Sequence, residues 1–167
     1  ITSWLGELDK KVKTAEDRKE YNQSVFSIEK KQFPYMLCVT NLLLHGIDTP
    51  LVYHDNSLTK DVLNYTDEDK FDVVLMNPPY GGNEKSDVKS HFPSDTHSSE
   101  TADLFMVLIM YRLKKNGRAA VIFPDGFLFG ADNTKIAIKT KLLRDFNLYT
   151  IIRLPGSIFS PYTSIAT

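Results

Sequence analysis

The sequence predicts an α/β fold built on a doubly wound, mostly parallel sheet. Three observations carry this. Five short apolar runs, at 25–28, 51–53, 73–76, 119–123 and 149–154, alternate with longer segments of helical period, the pattern of a parallel sheet with right-handed crossovers. The run Val73 to Met76 is too short and too β-branched for a helix, and it reads as a buried strand. It stops at Pro78-Pro79, because proline cannot donate to a sheet ladder.

Composition sets wide bounds. The 167 residues read as one domain, 1–167, with 42% hydrophobic and 25% charged residues, ordinary for a soluble globular protein. The net charge of -1 is no nucleic-acid signature, so any DNA affinity must come from local clusters or a partner. Cys38, the single cysteine, sits in an apolar run and reads as a buried thiol in a reducing, cytoplasmic compartment. No stretch has transmembrane length, and the chain opens inside an amphipathic pattern, not a signal peptide.

In chain order, Thr2 to Tyr21 reads as one helix with Trp4, Leu5, Leu8 and Val12 on one face. Val25 to Ile28 is a strand that ends at Glu29. A carboxylate there can accept both hydroxyls of a ribose, or it can be a surface group paired with Lys30 or Lys31. Pro34 suits the first turn of a helix running to Leu44, with Gly46 as its stop and Met36, Leu37, Val39, Leu42, Leu43 and Leu44 in the core. Leu51 to Tyr53 is the next strand, and Asp55 after it is either a binding carboxylate or a helix cap.

From Asn83 to His97 the chain is polar and without apolar period. It reads as a long loop, either ordered only by a bound target or without a role. His91 and His97 lack companions for a zinc site. Ser98 or Ser99 caps a helix whose stretch Leu104 to Met110 is apolar all round and therefore buried. Ala119 to Phe123 is a strand broken by Pro124-Asp125-Gly126. The following helix, about Thr134 to Phe146, carries Lys135, Lys139, Lys141 and Arg144 as a solvated cationic side. Tyr149 to Leu154 is the last strand.

Asn77-Pro78-Pro79-Tyr80 carries the chemistry. Asn77 precedes a proline and is pushed to an extended conformation at the strand's carboxyl end, where open α/β sheets bind ligands. An amide or exocyclic amino nitrogen has a delocalised lone pair and is a poor nucleophile. The Asn77 side-chain oxygen and the Pro78 carbonyl could hold its two hydrogens and aim the lone pair at an electrophile. Tyr80 could stack on a planar base turned out of a duplex.

These four residues resemble the motif of amino-group methyltransferases that use S-adenosylmethionine. Further segments narrow the likeness: Ser27-Ile28-Glu29-Lys30-Lys31, Asn41 to Gly46, His54-Asp55-Asn56-Ser57-Leu58, Glu100 to Phe105, Gly117 to Gly126 and Arg153-Leu154-Pro155. In that order they resemble the methylation subunit of type I restriction–modification systems, over nearly the whole chain from Ser24.

The resemblance implies a class I, Rossmann-like methyltransferase sheet and transfer of a methyl group to adenine N6 in DNA. Asn77, Pro78, Pro79 and Tyr80 would be the catalytic residues. Glu29 would hold the ribose of S-adenosylmethionine and Asp55 its adenine, with Asn77 also counted on the cofactor side. No metal is implied. The partners would be DNA, a specificity subunit and a restriction subunit. Related acceptors, RNA guanine and protein glutamine, stay open, as does an inactive assembly module. The family's glycine-rich loop and first strand have no counterpart before Glu29, and Ser157 to Thr167 resembles a run into a last strand. The chain is therefore expected to be an internal piece of a catalytic domain, inactive by itself.

Overall fold

The computed structural model describes residues 1–160, 162 and 167. The chain divides into two compact units, Ile1–Ser57 and Leu58–Thr167. In the first, helices α1 (Thr2–Asp9) and α2 (Ala15–Asn22) replace the single helix expected from Thr2 to Tyr21. The break has a local cause. Thr14 Oγ1 accepts the Asp17 amide at 3.0 Å, and Asp17 Oδ2 accepts the Thr14 amide at 2.8 Å. This reciprocal cap starts a new helix.

Strand β1 (Phe26–Glu29), helix α3 (Gln32–Leu44) and strand β2 (Leu51–His54) form a parallel crossover that sets Glu29 beside His54. The stop of α3 is as expected: Gly46 takes φ +78, and the Ile47 amide returns to the Leu42 carbonyl. Leu5, Tyr21, Val25, Leu42, Ile47 and Val52 form the unit's core. Of the α3 residues assigned to the core, only Leu42 is buried, while Met36, Leu37, Leu43 and Leu44 are exposed. A two-stranded sheet offers its helix a narrow contact line, so a helix apolar on several sides cannot bury them all in this unit. Cys38 is a half-buried free thiol, less enclosed than expected.

The second unit holds β3 (Phe71–Met76), α4 (Ser86–Lys89), α5 (Thr101–Arg112), β4 (Leu113–Val121), α6 (Asp125–Phe129) and α7 (Asn133–Asp145). β3 pairs in parallel with β4, with Val74 opposite Ala119 and Met76 opposite Val121. The register slips between Phe71 and Val73. There Asn116 takes φ +63, and Gly117 lies so close to β3 that a Cβ would sit 3.1 Å from the Asp72 carbonyl oxygen. α5 is buried as expected, and Leu104, Val107 and Leu108 pack with Leu58, Phe127 and Ile138.

Several expectations are corrected. Within β3 only Val74 is buried, while Val73 and Leu75 are exposed. Neighbouring side chains point to opposite faces, and this unit covers only the Val74 face. Tyr149 to Leu154 forms no strand, and Ile151 and Ile152 are exposed. β-branched residues make a strand only where a sheet edge accepts them. Among the described residues the strands thus form two parallel pairs, β1-β2 and β3-β4, not one sheet of five.

The stretch from Asn83 to His97 contains helix α4 where the sequence predicts a long loop. Val88 and Phe92, four residues apart, reach the core, and a 3-10 turn at Ser94–Thr96 follows. His91 Nδ1 lies 3.2 Å from the Leu58 carbonyl oxygen and His97 Nε2 lies 2.7 Å from that of Phe92. The run Ser157 to Thr167 falls partly outside the described residues.

Candidate active site

The Asn-Pro-Pro-Tyr turn leaves the carboxyl end of β3, held from the β4 side by the Ile122 amide on the Met76 carbonyl at 3.0 Å. Asn77 and Pro79 are exposed, Pro78 is buried, and Tyr80 is half-buried. Gly81 takes φ +69, a backbone setting that glycine reaches without strain. The Tyr80 hydroxyl donates to Asn77 Oδ1 at 2.7 Å. Partial burial pushes the Tyr80 pKa up, so at neutral pH the phenol keeps its proton and donates. The ring of Phe159 meets Tyr80 edge-on, with centroids 6.4 Å apart and planes at 69°.

Glu29 and Asp55 lie in the first unit, at the carboxyl ends of the adjacent parallel strands β1 and β2. Glu29 Oε1 accepts the Lys31 amide at 2.8 Å. Asp55 is exposed, and its Oδ1 accepts the Asn56 amide at 2.7 Å. Parallel pairing thus brings both carboxylates to one end of one sheet. That pair of acceptors suits hydroxyl and amine donors, since ionised carboxylates only accept.

Two features escaped sequence reasoning. One is the Tyr80–Phe159 ring contact, for which an aromatic residue shortly after Pro155-Gly156 was the available signal. The other is a polar cluster at the start of α5, in which Ser98, Asp103 and Lys135 are buried and Glu100 is exposed. Lys135 Nζ lies 2.9 Å from Asp103 Oδ2 and 2.6 Å from Glu100 Oε1, and Ser98 Oγ donates to Asp103 Oδ2 at 2.6 Å. Ser98 does not cap the helix backbone as expected. Glu100 precedes α5, and its amide donates to Ser98 Oγ at 3.0 Å.

The sequence profile of the family described as N-6 DNA Methylase matches residues 2–167. The chain belongs to the N-6 DNA methylase family. Among relatives, it is 47% identical over 160 residues to the type I restriction enzyme EcoEI methylase subunit of Escherichia coli, which covers 95% of this chain and 32% of that protein. It is 32% identical over 160 residues to the type I restriction enzyme MpnII methylase subunit of Mycoplasma pneumoniae, covering 86% of this chain and 29% of that protein. A solved chain from work on complex assembly and conformational transition of the type I R-M system superposes with a TM-score of 0.91 at 33% identity, over 99% of this chain and 34% of that one.

As an N-6 DNA methylase, the chain has the α/β class and parallel strand pairing that the sequence predicts. Its likeness to type I methylation subunits, read first from ordered short segments, holds across the matched length. The chain spans about a third of the length of the relatives it matches. Among the described residues, no helix of this chain is long and apolar enough to cross a membrane.

Proposed function

We infer that the protein carrying this chain transfers a methyl group from S-adenosylmethionine to adenine N6 in DNA, as the modification subunit of a type I restriction–modification system. The single observation that carries the reading is the Asn77-Pro78-Pro79-Tyr80 turn at the carboxyl end of a parallel strand, in an N-6 DNA methylase chain. DNA, a specificity subunit that reads the sequence and a restriction subunit are the partners. S-adenosylmethionine, when bound, supplies a methyl group on a sulfonium.

Each residue then has a defined task. Glu29 accepts the ribose hydroxyls, and Asp55 accepts the amino group of the cofactor's adenine. Tyr80 stacks on the target base, and Pro79 fixes the backbone between it and the acceptors. Asn77 Oδ1 and the Pro78 carbonyl accept the two hydrogens of the target amine. Held this way, the nitrogen lone pair leaves conjugation with the ring and points at the methyl group. With the cofactor bound, its sulfonium would supply the methyl group to this nitrogen, while Asn77 Oδ1 and the Pro78 carbonyl would hold the two amine hydrogens until one leaves to solvent. The Tyr80 hydroxyl also donates to Asn77 Oδ1, and an amide oxygen has two lone pairs, so the target amine would share this acceptor with the phenol.

The test offers labelled S-adenosylmethionine and the full-length protein, with its specificity subunit, three acceptors: unmethylated DNA, ribosomal RNA and a release factor. Label recovered as N6-methyladenine in DNA is expected. Label confined to guanine or glutamine overturns the assignment, and label nowhere favours an assembly role.

A further inference from the structure

The segment after Tyr80 is laced to the start of α5. Asn83 and Glu100 form an antiparallel bridge. The Glu84 amide donates to the Ser99 carbonyl at 3.2 Å, and the Thr101 amide donates to the Gly82 carbonyl at 2.9 Å. Gly82 is packed so closely that a Cβ would lie 2.7 Å from Thr101 Oγ1. The Asn-Pro-Pro-Tyr turn is therefore anchored at one end by β3 and at the other by residues 98–101.

Those anchoring residues are gripped in turn by the side chain of one lysine. Lys135 comes from the first turn of α7, and its side chain is 6% exposed. Its ammonium meets Glu100 at 2.6 Å and Asp103 at 2.9 Å, with Asp132 further off at 3.7 Å. Asp103 is fully buried, and its Oδ1 has no hydrogen-bond partner among the described residues. Its Oδ2 faces Lys135 and Ser98. Burial opposes the Lys135 charge, but the hydrogen bonds it donates to Glu100 and Asp103 outweigh it and raise its pKa. Gly130 leaves room for the lysine stem, since a Cβ there would collide with Lys135 Cδ.

Apolar side chains would hold α5 and α7 together equally well, because packing is non-directional. The polar cluster adds direction. Glu100 and Ser98 flank Ser99, whose carbonyl takes the Glu84 amide. A shift of this strip along α7 would break bonds on both sides of Ser99.

We propose that Lys135 is a positioning residue for methyl transfer: by gripping Asp103 and Glu100 it fixes the strip Ser98–Thr101, and through it the turn that carries Asn77 and Tyr80. It touches no substrate. The proposal rests on the methyl-transfer reading above.

The test uses the full-length protein and the double variant Lys135→Met with Asp103→Leu, which removes both buried charges together. Amide exchange is read at Glu84 and Thr101, with Leu108 and Ile138 as internal controls, and kcat and KM are measured for S-adenosylmethionine and DNA. Exchange at Glu84 and Thr101 is expected to rise by about tenfold or more, the scale for losing a net hydrogen bond or two. The control amides should stay protected. The value of kcat should fall by about 10²-fold, as expected for a small misplacement of reacting groups, with the cofactor KM unchanged. Unchanged exchange at Glu84 and Thr101, or faster exchange with an unchanged kcat, overturns the proposal.

Should the double variant fail to fold, Ser98→Ala removes one donor to Asp103 and the acceptor of the Glu100 amide, and the same shifts in smaller size are required of it. If the unaltered protein transfers no methyl group, the functional reading falls and takes the kinetic half of the proposal with it. The exchange rates then still decide whether the clamp exists.

Discussion

The hydroxyl of Tyr80 donates to Oδ1 of Asn77 at 2.7 Å, so the oxygen proposed to accept a target amine already has one donor. On the methyl-transfer reading, a bound base shares this oxygen's two lone pairs with a residue of the same turn. Tyr80→Phe removes that donor and keeps the ring. The Phe variant should bind an extruded adenine at least as tightly as the parent, with a gain of up to about 1 kcal/mol, the net worth of one hydrogen bond. Tyr80→Ala loses the ring and should weaken binding by about 1–3 kcal/mol. Fluorescence titration with 2-aminopurine at the target position reads both. A strong defect in the Phe variant would end the stacking assignment.

Asn77→Ala removes one acceptor and leaves the backbone acceptor of Pro78 in place. Methylation by the full-length protein should slow by about 10²-fold or more, the scale for one lost transition-state contact. Cofactor affinity, measured by calorimetry, should stay close to that of the parent. Equal losses in rate and in cofactor affinity would instead make Asn77 a structural or cofactor residue.

Phe92 tests the corrected reading of the segment after Gly82. Its side chain is 4% exposed and packs in the core of the second unit. Phe92→Ala should cost about 3–5 kcal/mol in denaturant unfolding. A free surface loop would give a change close to zero, and that result would remove the packed segment.

Asp132 caps α7, its Oδ1 accepting the Lys135 amide at 3.0 Å. This bond, with the nearby Lys135 charge, holds its carboxyl below the ordinary aspartate range. A depressed pKa in the folded state stabilises fully above the unfolded value of about 3.9 and is lost as pH falls through the folded value. Asp132→Asn keeps the cap and removes the titration. Thermal melts of the parent and the Asn variant should therefore run in parallel above about pH 5 and differ in slope below pH 4. Identical slopes throughout that acid range would mean the cap is absent in solution.

Much of this was legible in the sequence, for identifiable reasons. The strand before Asn77 declared itself because two prolines must end a ladder, and Gly46 declared the end of α3 by the same backbone logic. Lys135 did not, although it was grouped with Lys139, Lys141 and Arg144 as a solvated side. Periodicity places a lysine on a face but does not say whether its stem turns inward. In the structure Lys139 Nζ donates to the carbonyls of Leu128 and Gly130 at 2.9 and 2.6 Å, and Lys141 and Arg144 meet Asp145. A clue was present: Asp103 lies in the first turn of a helix whose middle, Leu104 to Met110, is apolar all round, and a carboxylate buried there calls for a cation. The pairing failures have another origin. Tyr149 to Leu154 has strand composition, but ladder formation depends on a partner edge that composition does not reveal.

The register-shifted ladder of β3 and β4 also constrains the order of folding. It joins residues on either side of the entire stretch from Tyr80 to Arg112. α5, inside that stretch, is made of contacts between near neighbours and can form early. The ladder must first close a long loop, whose entropic cost precedes any reward. Asn77 and Tyr80 hang from the end of that ladder, so competence to hold a target amine arrives with its last rungs. In pulse-labelled refolding, the amides of β3 should gain protection after those of α5, and methyl transfer should recover with the slower phase.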